Sequence, residues 1–191
     1  MALDIPTQTA PPGPSAQCAT TRSAGKSRSV TESSSTSTHV TAVVPSLTRP
    51  NWDNYYLDIA KAVSARADCR RRQHGAVVVK DNQQISAGYN GAPAGQPGCL
   101  SGACPRGLLS YQEVATMASY DTGPGRCLSI HAETNALLRA GYDRAKGGTI
   151  YITGEPCPTC WKTILGAGIN RAVWRVGTTI VNRYAAQGVF A

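Results

Sequence analysis

Thr149-Ile150-Tyr151-Ile152-Thr153-Gly154-Glu155-Pro156-Cys157-Pro158-Thr159-Cys160 runs a β-branched stretch straight into a pair of cysteines. Its first five residues read as a buried strand. From Cys157 to Ala167 the pattern is helical, and Gly168 closes that helix. Ala172-Val173-Trp174-Arg175-Val176 then reads as a further strand. Strands that alternate with helices predict an α/β fold, a three-layer α/β/α sandwich around a mixed sheet.

The upstream chain fits the same plan. Trp52 to Ala67 places Tyr55, Tyr56, Ile59, Ala60 and Val63 at the i, i+3, i+4 spacing of an amphipathic helix, and Asn51 can cap it. Gly75 to Lys80 is β-branched and reads as a buried strand; Asp81-Asn82 turns the chain, and Gln84 to Tyr89 returns. Ile130 to Ala140 is helical and ends at Gly141. Asn90 to Gly125 is rich in Gly and Pro, too long for an idle loop, so it should be functional or held by something. At the C-terminus the pattern suggests a short helix over Val181 to Ala186.

Residues 1–48 differ from the rest. They are Ser/Thr/Pro-rich and aperiodic, bury too little apolar surface to offset chain entropy, and read as a disordered tail ahead of a domain over 49–191. No stretch approaches the ~18 apolar residues of a membrane span, and no signal-peptide core is evident. Net charge is +8, and Arg70-Arg71-Arg72 is the only dense basic run. That run suits either a solvated loop or an anion site such as phosphate or RNA. Seven cysteines, an odd count without a secretion signal, argue against a disulfide framework and for metal binding in a reducing compartment such as the cytoplasm.

The chemistry concentrates in His131-Ala132-Glu133 and the Cys157/Cys160 pair. One imidazole and two thiols are three zinc ligands, the number used by sites that keep a position open for water. Both cysteines fall at a helix start, where the helix dipole favours thiolate, and His131 falls at another. Zinc lowers the pKa of its water to about 7, and two thiolates leave the ion less acidic than imidazoles would. A proton acceptor therefore helps, and Glu133 stands two residues from the histidine. A structural zinc site would use four ligands and have no need of the carboxylate.

The spacing H-x-E followed by P-C-x-x-C is the known signature of zinc nucleobase deaminases. From Trp52 to Val176 the chain resembles the cytidine/deoxycytidylate deaminase superfamily, and most of all its deoxycytidylate (dCMP) deaminase branch. His131-Ala-Glu-Thr-Asn135-Ala-Leu-Leu is similar to that branch's H-A-E-x-N-A helix, Gly88-Tyr-Asn-Gly-Ala-Pro-Ala-Gly95 to its G-Y-N-G-x-P-x-G loop, and Trp52-Asp-x-Tyr-Tyr56 to its W-D-x-Y-F start.

The resemblance implies hydrolytic deamination of dCMP to dUMP: water attacks C4 of cytosine, and Glu133 passes protons to N3 and to the leaving amine. It implies substrate contacts at Asn90, Gly91 and Ala132, with Asn90 on the sugar and Gly91 to Gly95 near the phosphate. Tyr151 would either wall the base pocket or pack in the core. It also implies dCTP and dTTP as effectors, a homo-oligomer (a hexamer in many members), and no membrane partner. In members with a second, structural zinc, cysteines fall where this chain has Cys69, Cys99, Cys104 and Cys127, with His74 as an alternative ligand. Glu155 before Pro156-Cys157 departs from the branch and is commoner in deaminases of tRNA adenosine and guanine. Another substrate is therefore the alternative, and a zinc module that binds nucleic acid through Arg70 to Arg72 is a third reading.

Overall fold

A computed structural model describes residues 48–114 and 119–187. Among these residues five strands form one sheet in the order β2-β1-β3-β4-β5: β1 Gly75–Lys80, β2 Gln83–Tyr89, β3 Thr149–Ile152, β4 Arg171–Val176 and β5 Thr179–Tyr184. β1 runs antiparallel to β2 and β3, β3 and β4 are parallel, and β4 and β5 are antiparallel. The sheet is mixed, as expected. The expected tail over 1–48 lies almost entirely outside the described residues.

Strand alternation sorts the core into two layers. Val77, Val79, Tyr151 and Val173 face the helix α1, Trp52–Ser64, and pack on Tyr56, Leu57 and Ala60. Ala76, Val78, Ile150, Ile152, Ala172 and Trp174 face the other way, onto α3, Ala132–Ala140, and α5, Pro158–Gly166. Two short helices, α2 over Pro105–Leu108 and α4 over Tyr142–Ala145, complete the set. The α/β/α sandwich is thus built from one sheet with helices on both faces.

Local chemistry accounts for most boundaries. Asn51 Oδ1 accepts the Asn54 amide at 2.8 Å and caps α1. α1 ends at Ser64 rather than Ala67, because residues 65–67 close with tighter i to i−3 bonds that release the chain toward Asp68. Asp81 and Asn82 both take positive φ in the two-residue β1–β2 turn. The helix expected over Val181 to Ala186 is instead mostly strand. Gly177, at φ +60°, reverses the chain after β4, and β5 then pairs along β4 from Thr179 to Tyr184. Only Ala185–Gln187 forms a 3-10 turn.

Candidate metal centre and active site

β3 and β4 are parallel, so α5 must cross between them and its N-terminus lies beyond the end of β3. Cys157 is the N-cap of α5, and its Sγ accepts the Cys160 amide at 3.4 Å. His131 is the N-cap of α3. Both helices start slightly later than the sequence pattern suggests, which makes the two ligands caps rather than first-turn residues. His131 Nδ1 lies 3.7 Å from Cys157 Sγ and 3.3 Å from Cys160 Sγ. Among the described residues, this trio alone brings three such donor atoms within 4.8 Å of one another.

The donor set fits zinc. Burial raises the pKa of the Cys160 thiol, and the charges of Glu133 and Cys157 raise it further. Two thiols and an imidazole nitrogen gathered in a largely buried space are the donors that zinc takes when a fourth position stays open. Glu133 sits in the first turn of α3 and is 6% exposed. Ala132, between ligand and carboxylate, is fully buried.

The G-Y-N-G segment is locked against this centre. Asn135 Nδ2 donates to the Tyr89 carbonyl at 2.9 Å. Gly91 and Ile130 exchange both backbone hydrogen bonds, at 3.2 and 2.8 Å, immediately ahead of His131. Asn90 is buried; its Oδ1 accepts the His74 amide at 2.7 Å and its Nδ2 donates to the Arg72 carbonyl at 2.9 Å. The structure therefore brings Asn90, Gly91 and Ala132 into the frame around the trio, with Asn90 also fastening the entry to β1.

Tyr151 is different. Its hydroxyl donates to Asp53 Oδ1 at 3.0 Å, its ring packs 5.1 Å from that of Tyr56, and it belongs to the α1 layer. β3 turns Ile150 and Ile152, not Tyr151, toward α3 and α5, so the packing of Tyr151 is that of the core alternative. Burial, then the Asp53 contact, raise its pKa.

Two of the three residues of the basic run are tied to the long loop. Arg70 Nη2 donates to the Leu100 carbonyl at 3.0 Å, and Arg71 Nη1 to the Leu109 carbonyl at 2.9 Å, with its guanidinium 4.0 Å from the Tyr111 ring centre. These arginines hold the long loop. Cys69, Cys99, Cys104 and Cys127 gather under it. Cys69 Sγ accepts the Arg71 and Arg72 amides at 3.4 and 3.5 Å, Cys99 Sγ accepts the Arg70 amide at 3.3 Å, and Cys104 and Cys127 sulfurs lie 3.9 Å apart. Burial pushes Cys127 up to about 11, and burial raises Cys99 as well. Burial would also raise Cys104, but the Leu128 and Gly107 amides outweigh it and lower its pKa. No three of these thiols close to the spacing of the main trio. The Nδ1 of His74, the alternative ligand, meets Thr153 Oγ1 at 3.3 Å.

Sequence reasoning missed Arg106 and Tyr120. Arg106 is buried, with its guanidinium over the Tyr120 ring, and that ring stands edge-on to His131. A single arginine and tyrosine in a Gly/Pro-rich loop carry no periodic signal.

The family described as the cytidine and deoxycytidylate deaminase zinc-binding region matches residues 50–176, and this chain belongs to it. The deoxycytidylate deaminase of Mycobacterium phage D29 is 46% identical over 128 residues, 67% of this chain and 97% of that protein. The deoxycytidylate deaminase of Saccharomyces cerevisiae is 37% identical over 133 residues, 67% of this chain but 38% of the yeast protein. A crystal structure of the dCMP deaminase from cyanophage S-TIM5, in complex with dCMP and dUMP, is 26% identical over 68% of this chain and 84% of that one, with a TM-score of 0.48.

Proposed function

We propose that the protein hydrolyses dCMP to dUMP and ammonia. The observation that carries this reading is Glu133: a buried carboxylate on the first turn of α3, beside a three-donor trio. Likeness to phage and yeast deoxycytidylate deaminases supports the choice of substrate.

His131, Cys157 and Cys160 would hold zinc, which when bound supplies the Lewis acidity that brings water ionisation near neutral pH. The work of this chain is proton movement and orientation. The Glu133 carboxylate takes a proton from the attacking water and delivers it to N3 of the cytosine as C4 becomes tetrahedral. It then carries the second proton to the amino group, the C4–N bond breaks, and ammonia leaves. Glu133 ends as the carboxylate it began. Asn90, held from two sides, orients the sugar, and the Gly91 to Gly95 segment lies toward the phosphate; Ala132, fully buried, packs in the core beneath the site instead of on the base.

Cys69, Cys99, Cys104 and Cys127 hold a second, structural zinc in this reading. Backbone N–H groups donate to the sulfurs of Cys69 and Cys99, and the Cys104 and Cys127 sulfurs lie 3.9 Å apart, which supports a shared site. Regulation by dCTP and dTTP, a homo-oligomeric assembly and a reducing, cytoplasmic setting complete it. Among the described residues no helix is long and apolar enough to cross a membrane. The engagement of Arg70 and Arg71 by loop carbonyls weighs against an RNA-binding module.

The test is ammonia release from a panel of dCMP, dCTP, cytidine, cytosine, guanine and tRNA. The proposal expects dCMP to be the preferred substrate. Preference for guanine or tRNA would replace it with the alternative that Glu155 raises.

A further inference from the structure

We propose that Tyr120 is the aromatic wall against which the substrate's pyrimidine stacks, and that Arg106 is the residue that positions it. The inference rests on the deaminase reading and identifies a specificity element of the same site.

Tyr120 meets the metal centre directly. Its ring centre lies 6.3 Å from that of His131, and the two planes stand at 83°. Despite this, Tyr120 is 55% exposed. The Arg106 guanidinium covers one face, 3.9 Å from the ring centre. An aromatic ring fixed beside a ligand and left half open offers a stacking surface for a flat heterocycle.

The ring is also held firmly, which a stacking wall requires. Arg106 is 7% exposed, and its Nη1 donates to the carbonyls of Ser119 at 3.0 Å and Gly125 at 2.8 Å. The Arg106 amide donates to the Arg126 carbonyl at 3.1 Å, and the Cys127 amide to the Tyr120 carbonyl at 2.7 Å. The loop that carries Tyr120 is thus closed by one guanidinium from inside and by backbone bonds at its base. A pre-ordered wall loses little freedom when the base arrives. Tyr151, the other aromatic considered for this task, lies in the α1 layer with its hydroxyl on Asp53.

The experiment compares steady-state kinetics with dCMP for the zinc-loaded full chain and for Tyr120→Ala, Tyr120→Phe, Arg106→Gln and the double variant Tyr120→Ala/Arg106→Gln. Zinc content and melting temperature are measured alongside. Loss of one stacking contact predicts that Tyr120→Ala raises KM about tenfold while kcat stays within about threefold. Tyr120→Phe keeps the ring and should behave as wild type. Arg106→Gln should raise KM in the same direction with kcat and zinc content kept, and should add nothing to Tyr120→Ala, since both act through one ring. A KM for Tyr120→Ala within about twofold of wild type overturns the wall. So does a Tyr120→Phe variant as impaired as Tyr120→Ala. Additive losses, or an Arg106→Gln variant that sheds zinc and kcat together, overturn the positioning role. A wild-type protein that releases no ammonia from dCMP brings down the deaminase reading as well as this one, whereas an active wild type with an indifferent Tyr120→Ala brings down only this one.

Discussion

Asp53 shows how one side chain joins distant parts of the chain. It sits in the first turn of α1, accepts the Tyr151 hydroxyl at 3.0 Å, and takes both Nη atoms of Arg171 at 3.0 and 2.6 Å. Burial alone would raise its pKa, but the bonds from Arg171 and Tyr151 and the Arg171 charge outweigh burial and hold it below 3.8. A carboxylate with a depressed folded-state pKa stabilises the fold above its unfolded pKa, and that contribution is lost as pH falls through the lower folded value. Asp53→Asn should therefore melt below wild type near neutral pH, with the gap closing as the pH falls through the depressed carboxylate value. Denaturation scans across that range check it. Asn90 is a similar fastener, and Asn90→Ala, which leaves the His74 amide and Arg72 carbonyl short of partners, should cost about 2 kcal/mol in chemical denaturation. The ligand trio and Glu133 were legible in the sequence because their chemistry fixes residue type and spacing together. Arg106 and Tyr120 were not, because burial of one and placement of the other depend on carbonyls and rings brought in from elsewhere in the fold.

Helix and sheet meet where side chains vanish. A Cβ on Gly88 would lie 2.3 Å from the Ala136 nitrogen and 2.4 Å from the Ala132 oxygen, and one on Gly75 would lie 2.1 Å from the Ala60 oxygen. These two glycines let α3 and α1 approach the sheet from opposite faces. Gly88→Ala should destabilise the protein by about 2 kcal/mol or more, because the obstacle is backbone that cannot swing aside. It should also impair the active site, since α3 carries both His131 and Glu133; thermal denaturation and turnover measured together check this. α1 announced itself by periodicity, β1, β3 and β4 by short apolar, largely β-branched runs, and the Asp81-Asn82 turn by composition. β5 was misread because Val181-Asn-Arg-Tyr-Ala-Ala186 mixes residues that suit either state, and pairing with β4 decided the outcome. α2 and α4 span four residues each, too few to display a helical period.

Across the molecule, the thiol cluster, the arginine clamps and the catalytic frame form one continuous structure. The Asp68 amide donates to the Asn90 carbonyl, Asp68 Oδ1 accepts the Leu100 amide, and Gly91 pairs with Ile130 ahead of His131. Changing Cys104 and Cys127 together to serine should lower zinc content from about two ions per chain to about one and reduce thermal stability. Metal analysis with a melting curve checks this, and a wild type holding a single ion removes the second site. The architecture as a whole was readable from the alternation of strands and helices, and the site from its two short motifs. The most direct test of the catalytic account is ammonia release from dCMP by zinc-loaded wild type and Glu133→Gln side by side. The account predicts turnover by wild type and, in a variant holding the same zinc, a loss of about a hundredfold to ten-thousandfold. Undiminished turnover in the variant, or none in wild type, would contradict it.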